Sequence, residues 1–117
     1  MIEKIHIYKA YVENVYDGDT ITCTIDCGFG IHCKKQKIRL YGLNTPEVRG
    51  VEKKEGIKVR DILRNKILGK QIILKTIKDK KGKYGRFLAI LYVKEDNKCI
   101  NVNQWLVENN YAKYIIY

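Results

Sequence analysis

Long apolar runs, paired cysteine knuckles and acidic residues are all scarce in this 117-residue chain. No apolar stretch approaches the roughly 20 residues that carry a helix across a bilayer, so no membrane span or membrane partner is expected. The opening MIEKIHIYKAYVENV is broken by charges and lacks both the continuous apolar segment and the small-residue cleavage site of a secretory leader. The expectation is a cytoplasmic protein, or a secreted one if a leader has been removed. The cysteines Cys23, Cys27, Cys33 and Cys99 form no C-x2-C pair and only His6 and His32 accompany them, which argues against zinc. Cys23 and Cys27 share strand parity with Ile21 and Ile25 and read as small buried thiols. There are no internal repeats, low-complexity tracts or linkers, and one proline, Pro46.

What is present suits one folded domain spanning 1–117, expected as a monomer. Apolar residues make up 45% of the chain, which argues against disorder, and the length allows a core without disulfide staples. The formal charge is +10, and it is concentrated. Between Lys34 and Arg86 stand 18 Lys and Arg against 5 Asp and Glu, a net of +13. A field of one sign raises the local concentration of polyanions, and nucleic acid is the commonest such partner. The plainer reading is a soluble lysine-rich surface.

Hydrophobic periodicity places the elements. Residues 5–16 are rich in Ile, Val and Tyr and end in the turn pair Asp17-Gly18. TITCTIDC at 20–27 alternates strictly, with Ile21, Cys23, Ile25 and Cys27 on one face. GFG at 28–30 turns the chain into a third strand, on which Ile38 and Leu40 point inward and Arg39 takes the opposite face. Val59, Ile62, Leu63 and Ile67 then recur at helical spacing before Gly69, with Lys58, Arg60, Arg64 and Lys66 on the solvated side. QIILKTIK and RFLAILYV read as two further strands, and a short helix from Asn101 sets Val102, Trp105 and Leu106 on one face. The class is therefore α+β, mainly β: a five-stranded OB-fold barrel with one helix between strands 3 and 4 and a C-terminal helix.

Two polar turns bracket the second and third strands. Asp17-Gly18-Asp19-Thr20 precedes one strand, and Leu43-Asn44-Thr45-Pro46-Glu47 follows its hairpin partner. Antiparallel pairing through GFG brings both turns to one end of the barrel. Their carboxylate, amide and carbonyl oxygens suit a hard cation such as Ca2+. Arg39 and Arg86 carry forks that match phosphate, and Glu47 is a candidate general base. Surface arginines and ordinary turn chemistry are the competing explanation.

The segments VYDGDT, IRLYGLNTPE, KYGRFLAILYV and INVNQWLVENNYAKYI resemble, in order and separation, the staphylococcal nuclease family, from about residue 10 to the end. That resemblance implies an OB-fold, Ca2+-dependent hydrolysis of DNA and RNA, and products with 3′-phosphate ends; single-stranded substrate is expected because reaching a phosphate at a barrel mouth favours flexible strands. By motif it makes Asp19, Asn44 and the backbone carbonyl of Thr45 the metal ligands. Arg39, Glu47 and Arg86 become the catalytic residues, and Lys83 and Tyr84 substrate-binding ones. Asn44 departs from the pattern, since the family usually places an aspartate there. An amide keeps a ligating oxygen but gives up the charge on which calcium affinity depends. The second reading is accordingly a catalytically weak or inactive nucleic-acid-binding module, and a third is an interaction domain for an acidic protein.

Overall fold

A computed structural model describes residues 6–81 and 86–116. The chain runs β1 (Ile7–Asp17), β2 (Thr20–Asp26), β3 (His32–Leu40), β4 (Leu43–Asn44), a 3-10 turn (Gly50–Glu52), α1 (Lys53–Ile67), β5 (Gln71–Lys81), β6 (Phe87–Glu95), β7 (Lys98–Asn101), α2 (Val102–Glu108) and β8 (Lys113–Tyr114). Hydrogen bonding orders the large sheet β3-β2-β1-β5-β6-β7, and a parallel β3–β6 pairing closes β1, β2, β3, β5 and β6 into a five-stranded barrel. Ile38, Arg39 and Leu40 face Phe87, Leu88 and Ala89 in that closure. The expected mainly-β barrel with a mid-chain and a C-terminal helix is thus the observed one. The three short strands β4, β7 and β8 lie outside it, β4 pairing with β8.

The alternation in β2 and β3 explains the interior. Ile21, Cys23, Ile38 and Leu40 are fully buried with Val12, Val15, Ile72, Leu74 and Leu91. Register shifts at Val12/Asn14 and Val15/Asp17 mark where β1, which pairs with both β2 and β5, bends. Helix α1 buries Val59, Leu63 and Ile67 of the predicted apolar stripe and leaves its fourth member, Ile62, half-buried. Its basic face is less uniformly solvated than the spacing suggests. Arg64 donates two hydrogen bonds to the Val15 carbonyl, and Lys66 pairs with Glu95 at 2.7 Å while lying 3.9 Å from the centre of the Trp105 ring.

Asn101 caps α2 by accepting from the Gln104 N–H. Asn103, buried, ties α2 to the barrel: its amide oxygen accepts from Leu91 N–H and its NH2 donates to the carbonyls of Tyr41 and Ala89. Cys27 corrects the expectation of a buried thiol. Strand β2 ends at Asp26, its hairpin with β3 extends past the barrel, and Cys27 is exposed while Cys23 is buried. Among the described residues no helix is long and apolar enough to cross a membrane.

Candidate functional site

Strand pairing assembles the site. β1 and β2 join through a two-residue connection, with Asp17 opposite Thr20, and the Asp17 carboxylate accepts from the Asp19 N–H at 3.0 Å. Thr20 lies opposite Arg39 in the β2–β3 ladder, and the Leu40 N–H donates to the Asp19 carbonyl at 2.8 Å. The turn after β1 and the segment after β3 therefore meet at one end of the barrel, as antiparallel pairing requires.

Helix α1 presses both loops into place through two glycines. A Cβ on Gly18 would lie 2.6 Å from Val59 of α1 and 2.8 Å from Thr45, and Gly56 of α1 faces the Glu47 backbone with still less room. Any side chain at either position would separate the elements.

A cavity of about 540 Å³ opens where these loops converge. Asp19, Arg39, Asn44, Thr45, Glu47 and Arg86, all named from the sequence, line it together. Asp19 is 8% exposed and is the hub. One of its carboxylate oxygens accepts from the Thr45 N–H at 3.2 Å and lies 3.4 Å from an Arg39 nitrogen; the other accepts from the Thr20 hydroxyl at 3.1 Å. Arg86 donates to that same hydroxyl at 2.9 Å, while Arg39 also donates to the Asn44 amide oxygen. Glu47 stands on the exposed side of the cavity. The Thr45 hydroxyl is buried with no hydrogen-bond partner among the described residues.

Asp17 was not singled out by the sequence, although the D-G-D spacing held the signal: acids two apart across a tight turn share a side. Its carboxyl is pushed up from 3.8 to about 7, first by burial and then by the hydrogen bond and charge of Asp19. Glu52, Asn110 and Lys113 also line the cavity and had no local signature. Lys83 and Tyr84 lie outside the described residues. Among those described, no group of three or more His, Cys, Asp or Glu is placed to hold a metal ion.

Comparison with known sequences bears on this arrangement. Residues 37–117 match the family model described as staphylococcal nuclease homologue. The chain belongs to the staphylococcal nuclease family. The match runs from β3 through β8 and so takes in Arg39, Asn44, Thr45, Glu47 and Arg86, while Asp17 and Asp19 precede it. An uncharacterised protein of the archaeon Methanocaldococcus jannaschii is 28% identical over 130 residues, covering 93% of this chain. This chain spans 60% of that relative's length. As a nuclease-family barrel it carries the polar cluster at one rim, where β3 meets β6.

Proposed function

We propose that this protein hydrolyses phosphodiester bonds of DNA or RNA with calcium as cofactor, acting on single-stranded or frayed substrate. The observation that carries this reading is the convergence of two guanidinium groups on one turn. Arg39 reaches Asp19, and Arg86 reaches Thr20, whose hydroxyl is itself bonded to Asp19. Forks so arranged suit a phosphodiester because each can donate paired, charge-assisted hydrogen bonds to its oxygens. In this reading Arg39 and Arg86 bind the scissile phosphate and stabilise the charge that develops on it. Glu47, across the same cavity, takes the proton of the attacking water.

Hard cations take carboxylate, amide and backbone carbonyl oxygens. Asp17, Asp19, the Asn44 amide and the Thr45 carbonyl offer such a set. The Asp17 carboxyl, raised first by burial and then by Asp19, would gain from a cation beside it. Calcium fits there as a weakly held ion, and bound it supplies Lewis-acid stabilisation of a phosphoryl oxygen.

A second reading has its own support. The Asn44 amide oxygen already accepts from Arg39, and no cluster of three acidic or thiol ligands exists among the described residues. Both favour a nucleic-acid-binding module whose basic middle neutralises phosphates without cutting. The discriminating experiment is cleavage of single-stranded DNA by the parent and by Glu47→Gln, with calcium titrated to tens of millimolar. Calcium-dependent cleavage that falls by about 10²–10⁴ on substitution supports the enzyme. Salt-sensitive binding with no cleavage at any calcium concentration leaves the module.

A further inference from the structure

We propose that Cys27 and Cys33 are a reversible dithiol–disulfide pair at the tip of the β2–β3 hairpin, a modification site whose co-reactant is a low-molecular-weight disulfide. The two sulfurs lie 3.4 Å apart, with the Cys27 thiol donating to the Cys33 sulfur, and both side chains are exposed. No core packing separates them and no rearrangement of the barrel is needed. The sulfurs have only to close from 3.4 Å to about 2 Å, which small side-chain rotations can supply.

The backbone holds them in reach. The Cys27 N–H donates to the Ile31 carbonyl and the Ile31 N–H to the Gly28 carbonyl, each at 2.9 Å. Gly28, Phe29 and Gly30 all take positive φ, a sharp reversal that two glycines make possible. A register irregularity between Cys23 and Ile25 then sets Ile25 opposite Cys33, so Cys27 meets Cys33 diagonally rather than as a ladder partner.

The other cysteines serve as internal controls. Cys23 is wholly buried, and burial pushes its thiol up to about 12, which leaves almost no reactive thiolate. Cys99 is exposed on β7, which pairs with β6 and not with the hairpin. Within the pair, the hydrogen bond to Cys33 holds the Cys27 thiol above its ordinary value.

The chemistry balances as two exchanges. The Cys33 thiolate attacks one sulfur of the small disulfide, forming a mixed disulfide and expelling one small thiolate. Cys27 loses its proton to solvent and attacks the Cys33 sulfur, forming the Cys27–Cys33 bond and expelling the second. The protein is oxidised by two electrons and the small disulfide is reduced to two thiols. The product pins the register of the hairpin whose base sets Thr20 opposite Arg39.

The test equilibrates reduced protein in glutathione redox buffers, quenches with alkylating agent and maps the peptides by mass, with the melting temperature followed in parallel. The expected product has lost two hydrogens, with Cys27 and Cys33 joined and Cys99 still alkylated or carrying glutathione. Its melting temperature rises by roughly 5 °C, because the cross-link restricts the unfolded chain. Cys33→Ser should leave Cys27 as a glutathione adduct with no rise in melting temperature. Separate glutathione adducts on Cys27 and Cys33 of the parent, links to Cys99 or to a second chain, or free Cys27 and Cys33 where Cys99 already carries glutathione, would each overturn the proposal.

Discussion

The Cβ that Gly56 lacks would stand 2.0 Å from the carbonyl oxygen of Glu47. Helix α1 and the loop carrying the candidate base are therefore in backbone contact. Alanine normally improves on glycine inside a helix by about 1 kcal/mol. Here the sign should reverse. Gly56→Ala is expected to destabilise the fold by about 2 kcal/mol or more in urea unfolding, since backbone must move to admit the methyl group. With calcium held as proposed, its binding should weaken as well, because the displaced segment carries Thr45 and Glu47. A stabilised variant would show that the contact is not made.

Arg39 and Asn44 offer a direct measure of the missing charge. An aspartate in place of Asn44 would turn its hydrogen bond with Arg39 into an ion pair and add one negative charge to the cavity. If that charge contributes about 2 kcal/mol to calcium binding, affinity should rise by roughly thirty-fold. Titration calorimetry of Asn44→Asp beside the parent reads this without any assay of cleavage. Unchanged affinity would remove residue 44 from the ligand set.

Asp17 makes stability depend on pH. Its carboxyl is raised from 3.8 to about 7 by burial and by Asp19, so the folded protein holds this proton more tightly than the unfolded chain does. Below about pH 4 both states are protonated and the carboxyl is no burden; the cost grows as pH rises and is complete above about pH 7. Asp17→Asn should accordingly melt higher than the parent at about pH 8 and lose that advantage near pH 4. Millimolar calcium should narrow the difference at the higher pH by giving the parent a counter-charge. A pH-independent gap between the two proteins would contradict this account.

Asn103 anchors the C-terminal helix through three hydrogen bonds to main chain of Tyr41, Ala89 and Leu91. Replacing it with alanine removes all three bonds; the Ala89 carbonyl still accepts from the Tyr41 N–H, while the Leu91 N–H loses its side-chain acceptor. The expected loss is about 2 kcal/mol, since a lost hydrogen bond costs on the order of 1 kcal/mol, and more where its partner is left unsatisfied. Denaturant unfolding measures it, and a loss below about 1 kcal/mol would mean that water reaches the gap.

Local patterns in the amino-acid sequence determined much of this protein. Alternation in TITCTIDC made β2, parity put Ile38 and Leu40 inside with Arg39 opposite, and helical spacing marked the buried stripe of α1. Turn chemistry and antiparallel pairing were enough to bring Asp19 and Asn44 to one end. These are short-range signals, carried by residues two to four apart. Tertiary structure alone decided that Arg86 meets Thr20 across 66 positions, that Arg64 and Lys66 leave the solvated face, and that Cys27 meets Cys33 outside the core. It also decided that Gly18 and Gly56 are the points where α1 touches both polar loops. The reason is physical: barrel closure and helix docking follow from burying the whole apolar surface at once, and no local window of sequence records which distant backbones that burial forces together.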